Sequence, residues 1–232
     1  MPEQASGLLI VDKPAGLTSY DCVHRVKKIL ANEKVGHCGT LDPLAMGVLL
    51  LVVGRATRQQ ATFLELEKQY WFRGEFGRVT ETGDREGACM RMPAYDHVTE
   101  ENLRSVIERF VGEQMQTPPR YAALKFKGKR YYQWARQGVE IPRVPRPVHI
   151  YSFELLSFKA PYWEARVVCS RGTYIRTLVE DVAERLETGA TLDALVRERI
   201  GHYSREQALS WPTVSASSRQ QLLDSFQCRA LS

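Results

Sequence analysis

Val35-Gly-His-Cys-Gly-Thr-Leu-Asp-Pro-Leu-Ala-Met-Gly-Val48 packs three glycines, a proline, a histidine and a carboxylate between apolar runs. Gly36, Gly39 and Gly47 open backbone conformations that a Cβ forbids, and Pro43 fixes the turn after Asp42. The apolar run at 48–53 then reads as a buried strand. Asp42 is therefore expected on a stiff loop beside the core. A carboxylate so placed serves either as a loop brace accepting turn N–H bonds or as a catalytic group, and the loop alone leaves both open.

Upstream, Gly-Leu-Leu-Ile-Val-Asp at 7–12 reads as a core strand, stopped by the Lys13-Pro14 breaker. Thr18 or Ser19 then caps a helix with Val23, Val26, Ile29 and Leu30 on one face and His24 and Lys27 on the wet side. Downstream, 57–64 reads as a helix, 68–76 as a strand and 77–87 as a polar, Gly-rich loop. Thr99 caps a further helix, with Glu100 and Glu101 in its first turn and Leu103, Val106, Ile107 and Phe110 as its stripe.

Strands are expected near 148–158 and 162–169, joined by a turn at Ala160-Pro161. Residues 170–178 lead into a helix reaching about 186, and Leu192, Leu195 and Ile200 read as further apolar contacts. From 210 the chain is polar and Ser/Gln-rich, with a short helix near 222–226. Strands and helices mix without regular βαβ alternation, so the class is α+β with a largely antiparallel sheet. No linker separates two large domains: 1–209 reads as one domain with a basic insertion at 116–147, and 210–232 as a short tail.

A chain of 232 residues, 44% hydrophobic and 25% charged, has the composition of a soluble globular protein. Its first residues lack a signal-peptide pattern and no apolar run is long enough to span a membrane, so a cytoplasmic location is expected. Cys22, Cys38, Cys89, Cys169 and Cys228 are widely spread and the histidines scattered, which argues against a zinc site, a disulfide framework or a metal enzyme. Charge is concentrated. Arg120, Lys125, Lys127, Lys129, Arg130, Arg136, Arg143 and Arg146 share 120–146 with one acid, Glu140, a net +7 where the whole chain carries +5. Tyr121, Phe126, Tyr131, Tyr132 and Trp134 are interleaved with them. A basic run is often only a solvated face, but cations that neutralise phosphates together with aromatic rings that stack on bases fit single-stranded or looped RNA.

The loop at 36–49 resembles the signature of the TruB family of tRNA pseudouridine synthases. The resemblance runs from about 7 to 201 and includes Lys68-x-Tyr70 and Gly-Thr-Tyr-Ile-Arg-Thr at 172–177. It implies a mixed sheet flanked by helices and a cofactor-free isomerisation of uridine. The N1–C1′ bond is broken, the base turned, and the bond remade through C5. Such a reaction needs a carboxylate nucleophile, a cation to orient it and a face for the loosened base, outside the stack. By resemblance these are Asp42, Arg176 and Tyr70; Tyr70 also offers a phenol as general base. His37 is implied to contact the RNA beside the flipped nucleotide, Tyr174 and Leu195 to complete the uracil pocket, and Asp84 either to hydrogen-bond in the site or to brace its own turn. The segment at 116–138 resembles the insertion that clamps the T stem-loop of tRNA, which makes tRNA the expected partner; no protein partner is implied.

Four departures stand out. Glu81 occupies the usual place of an Asp, and Ala122 that of a Ser. Leu195-Val196-Arg197 stands for Leu-Arg-Arg, removing an expected phosphate contact, and the chain ends before the PUA-type RNA-binding domain of many relatives. These bear on RNA affinity and choice rather than on chemistry. The rival expectations are a non-catalytic RNA-binding or RNA-folding factor and a synthase with another main RNA.

Overall fold

The structure, a computed structural model, describes residues 5–227. Cys228 and the end of the 210–232 segment lie outside the described residues. In chain order the first elements are β1 (Gly7–Lys13), α1 (Ser19–Ile29), β2 (Val35–His37), β3 (Met46–Val53), α2 (Gln60–Glu65), β4 (Lys68–Phe76), β5 (Val79–Thr80), β6 (Cys89–Arg91) and α3 (Glu100–Glu108). There follow β7 (Gly112–Gln116), β8 (Lys125–Phe126), β9 (Lys129–Arg130), α4 (Tyr131–Ala135), β10 (Arg146–Lys159), β11 (Tyr162–Cys169) and α5 (Ile175–Arg185). The last are β12 (Ala190–Ile200), β13 (Tyr203–Ser204), β14 (Leu209–Ser210), α6 (Trp211–Ala216) and α7 (Arg219–Asp224). The class is α+β with a largely antiparallel sheet, as expected. Among the described residues no helix is long and apolar enough to cross a membrane.

The chain divides into two compact units, Met1–Tyr70 with Val196–Ser232, and Trp71–Leu195. In the first, strands lie in the order β14-β1-β3-β12, with β2 on β3 and β13 on β12. β1 and β3 pair antiparallel from Gly7↔Val53 to Lys13↔Gly47, whereas β12 meets β3 in parallel at Val196↔Met46 and Arg197↔Gly47. The runs 8–11 of β1 and 48–53 of β3 are apolar because both faces are covered. Leu9, Val11, Leu49, Leu51 and Val53 share a cluster with Val23 and Val26 of α1. Leu8, Ile10, Val48, Leu50 and Val52 share another with Cys38 and Ile200.

α1 begins where the sequence indicates, at a capping box in which Thr18 accepts from the Asp21 N–H and the Asp21 carboxylate accepts from the Thr18 N–H. The helix expected at 57–64 opens as a 3-10 turn over Gly54–Gln59, where the Thr57 hydroxyl donates to the Gly54 carbonyl, and becomes α-helical at Gln60. Residues from 210 onward are less loose than their composition implies: Val214, Leu222 and Phe226 are buried in the cluster under β1.

In the second unit β12, β4, β11, β10 and β7 are successive neighbours. β10 forms antiparallel ladders with both β11 and β7. Trp163 is fully buried there, edge-on to Phe72 at 5.2 Å and stacked on Phe76 at 5.7 Å. Gly74 lies between these phenylalanines because a Cβ would come 2.4 Å from the Trp163 Nε1. α3 carries the second capping box, Thr99 with Asn102, and buries Leu103, Val106 and Ile107.

The main difference from expectation is β12, an eleven-residue strand where only scattered apolar contacts were read. Its charges hide the pattern because their partners lie far along the chain. Asp193 pairs with Arg73, Glu198 accepts from Gln69, and Arg197 donates to backbone carbonyls.

Gly47 marks a close approach between β3 and β12. Its φ is +103°, and a Cβ there would lie 2.2 Å from the Arg197 carbonyl oxygen. Gly47→Ala combines a strained φ with a backbone clash, and it is expected to cost more than about 2 kcal/mol, read as a fall in thermal or denaturant midpoint.

Candidate active site

In the first unit the Asp42 loop is tied down along its whole length. The Ser19 hydroxyl accepts from the Leu41 N–H at 2.8 Å and lies 3.2 Å from the Leu41 carbonyl, to which it donates. The Gly16 N–H donates to the Pro43 carbonyl at 2.8 Å, and the Ala45 N–H to the Asp42 carbonyl at 3.1 Å. Two buried cations finish the loop. Lys13 Nζ donates to the carbonyls of Leu17 (2.6 Å), Pro14 (2.9 Å) and Pro43 (3.3 Å). Arg197 donates from Nε to the Val48 carbonyl at 2.7 Å and from Nη2 to the Gly39 carbonyl at 3.1 Å. Asp42 itself is half-buried.

Burial pushes the Lys13 ammonium down to about 8; nearby Cys22, Asp42 and Asp21 work the other way, and Arg197 adds to the fall. Cys38, inside the loop, is fully buried, and desolvation pushes its thiol up to about 11, which leaves it unreactive at neutral pH. His37 lies on β2, with its carbonyl accepting from Gln60 Nε2 at 2.8 Å. Tyr70 is buried on β4. The first unit thus holds Asp42, His37 and Tyr70 of the expected site residues.

The second unit holds the others. Arg176, 4% exposed, sits in the first turn of α5. It donates from Nη1 to the Thr82 carbonyl and from Nη2 to the Tyr121 carbonyl, both at 2.9 Å, and its Nε lies 3.9 Å from Asp84 Oδ2. Asp84 also braces its own turn, accepting at Oδ1 from the Thr82 hydroxyl (2.6 Å) and the Glu86 N–H (3.1 Å). The turn brace is therefore present, and the same carboxylate lies at ion-pair distance from Arg176. Tyr174 caps α5, and buried Gln116 holds its backbone through Nε2→O (3.1 Å) and N→Oε1 (2.7 Å). Leu195 is buried on β12. Glu180, one turn after Arg176, is pushed up to about 7 by burial and then by Asp181, against the pull of Arg176 and Arg143.

In the insertion, Lys125, Lys127, Lys129, Arg130, Arg136 and Arg146 are exposed, while Arg120 and Tyr121 are half-buried. The aromatic rings differ from the expected open stacking faces. Lys127 lies over Phe126 (5.5 Å), Lys129 over Trp134 (4.9 Å) and Arg136 over Tyr132 (5.5 Å), and Tyr131 is buried. Three rings therefore already carry a cation on one face.

Sequence reading passed over Lys13, Arg197, Gln116 and Glu180. Lys13 had one signal, its place at the end of a buried strand and directly before a proline. Arg197 and Gln116 had none, because their partners lie far along the chain, and the burial that marks Glu180 is not a local property.

A family model described as "TruB family pseudouridylate synthase (N terminal domain)" matches residues 27–175. The chain is 42% identical over 213 residues to a protein named tRNA pseudouridine synthase B from Endomicrobium trichonymphae, covering 92% of this chain and 93% of the relative. It is 44% identical to the one from Bordetella avium (strain 197N), covering 90% of this chain and 87% of the relative. Among solved structures it resembles a chain of a Cbf5-Nop10-Gar1 complex, with a TM-score of 0.69 and 30% identity over 89% of this chain. It spans 52% of that solved chain's length.

Lys13 supplies a test of the loop's electrostatics. Its pKa is lower folded than unfolded, so between pH 8 and 10.5 the unfolded chain holds a proton that the folded chain releases. Its contribution to stability therefore rises with pH across that window, by roughly 3 kcal/mol in total. Unfolding free energy measured against pH for wild type minus Lys13→Met should show that rise, and a flat difference would place the ammonium in water.

Proposed function

The chain belongs to the TruB family of pseudouridine synthases, and we propose that it converts the T-loop uridine of tRNA, position 55, to pseudouridine with Asp42 as nucleophile. The enzyme is an isomerase acting on uridine in tRNA. The observation that carries the finer reading is the rigidity of the Asp42 loop. Ser19, Lys13 and Arg197 all hold its backbone. A loop fixed along its backbone presents Asp42 in one place, which is what a reacting group requires.

The roles follow from what the isomerisation lacks in water. Asp42 supplies the nucleophile for loosening the N1–C1′ bond, and Arg176 the cation whose aim is fixed by two carbonyls and Asp84. Tyr70 supplies a ring face and a phenol for the turned base. His37, Tyr174 and Leu195 are given contact with the flipped nucleotide on the family resemblance alone. Reactant and product are isomers, so the reaction consumes no co-substrate, and no cofactor is part of the proposal. The exposed cations of the insertion would neutralise phosphates of the T stem-loop. A cytoplasmic location belongs to the same reading.

Single-turnover pseudouridine formation on an unmodified tRNA transcript, read by carbodiimide-dependent primer-extension stops, tests it. Wild type should give a stop at the T-loop uridine, and Asp42→Asn should give none while binding the transcript about as tightly. A normal stop with Asp42→Asn would end the nucleophile assignment. Binding by wild type without any stop would favour an RNA-folding factor, and a stop in another RNA alone a different substrate.

The insertion has its own test. Lys125→Ala combined with Arg136→Ala should weaken tRNA binding and reduce the slope of log affinity against log salt by about 1 to 2. An unchanged slope would mean these side chains form only a solvated face.

A further inference from the structure

Tyr121 stands at the start of the basic insertion, and its two ends are held by different groups. Its carbonyl accepts from Arg176 Nη2 at 2.9 Å, and its hydroxyl donates to Glu81 Oε1 at 2.6 Å. Glu81 is the chain neighbour of Thr82, whose carbonyl accepts from Arg176 Nη1 at 2.9 Å. The bonds close a ring: Arg176 to Tyr121, Tyr121 to Glu81, Glu81 along the chain to Thr82, and Thr82 back to Arg176. One planar guanidinium thus joins the loop at 80–84 to the base of the insertion, and the Tyr121–Glu81 bond joins the same two segments a second time.

Length matters in this ring. Glu81 stands where the resembled family usually has aspartate, and an aspartate would reach about 1.5 Å less far, one carbon–carbon bond. The Tyr121 hydroxyl would then lose its acceptor unless the backbone moved. Charge matters in the opposite sense. Glu81 is exposed, and Arg120 and Arg136 pull the Tyr121 phenol downward while the Glu81 hydrogen bond raises it. A carboxylate at the edge of a phosphate-binding surface weakens RNA binding by simple electrostatics, so its presence there calls for another use.

We propose that Glu81 is a positioning residue for the isomerisation: through Tyr121 it fixes the base of the insertion against the 80–84 loop, so that the RNA-bound insertion aims Arg176. The proposal rests on the role given to Arg176 above. An isolated exposed hydrogen bond of this kind contributes little. Here it acts on a buried guanidinium that both segments share, so its loss is read in the rate and not only in stability.

The test measures equilibrium binding and the single-turnover rate at saturating unmodified tRNA transcript. Glu81→Ala, Glu81→Asp and Tyr121→Phe should each lower the rate about tenfold, the worth of one hydrogen bond to a charged group. Glu81→Gln keeps both length and an acceptor, and should recover most of the loss. Glu81→Ala should bind the transcript at least as tightly as wild type, because a negative charge has gone. The double variant Glu81→Ala/Tyr121→Phe should be no slower than either single one. A wild-type rate in Glu81→Ala, or losses that multiply in the double variant, would overturn the ring. Arg176→Ala in the same assay keeps the two readings apart. If it is slow while the Glu81 variants are fast, the ring fails and the role of Arg176 stands. If it turns over at the wild-type rate, the reading beneath the ring is itself lost.

Discussion

The Asp42 loop depends on a guanidinium with no access to water. Arg197 is 1% exposed, yet its donors reach carbonyls near both ends of the loop, at Gly39 and Val48. Burying such a group is costly unless its N–H groups are matched, and here backbone dipoles match them. The arrangement requires β12 to lie parallel to β3 in one register, Arg197 opposite Gly47, and it requires that Gly47 have no side chain. A one-residue slip would turn the guanidinium to the other face of the sheet. Lys13 repeats the device on the opposite side, with three carbonyls around one ammonium. The negative charge of Asp42 in turn helps Lys13 keep its proton.

Local physics made much of this legible in the sequence. The runs at 8–11 and 48–53 are apolar because both faces are covered, and the helices after Thr18 and Thr99 start at capping boxes that four residues suffice to specify. Asp42 could be singled out because glycines and proline around a lone carboxylate are a local pattern. What stayed hidden is non-local. β12 carries Asp193, Arg197, Glu198 and Arg199, which look like surface until their partners on other strands are known. Lys13 reads as punctuation, and Val196 as the loss of a phosphate contact; Val196 is buried, and Arg197 beside it holds backbone carbonyls.

In the second unit the same residue type does a different task. Arg176 is nearly as buried as Arg197, but its partners are two loops and a carboxylate instead of two ends of one loop. Glu180 and Asp84 both bear on it, and burial raises Glu180 far enough that it titrates near neutrality. Arg197 makes a loop rigid; Arg176 links segments that belong to different parts of the chain.

The self-sufficiency of the insertion has an evolutionary side. β8 and β9 pair with each other, Trp134 Nε1 donates to the Phe126 carbonyl, and three rings carry cations from the same segment. Exposed charges on such a module can be exchanged without disturbing the ladders of β10 or the loop of Asp42. On the proposed reading, such exchanges would retune contact with RNA while the ladders beneath the insertion stay as they are.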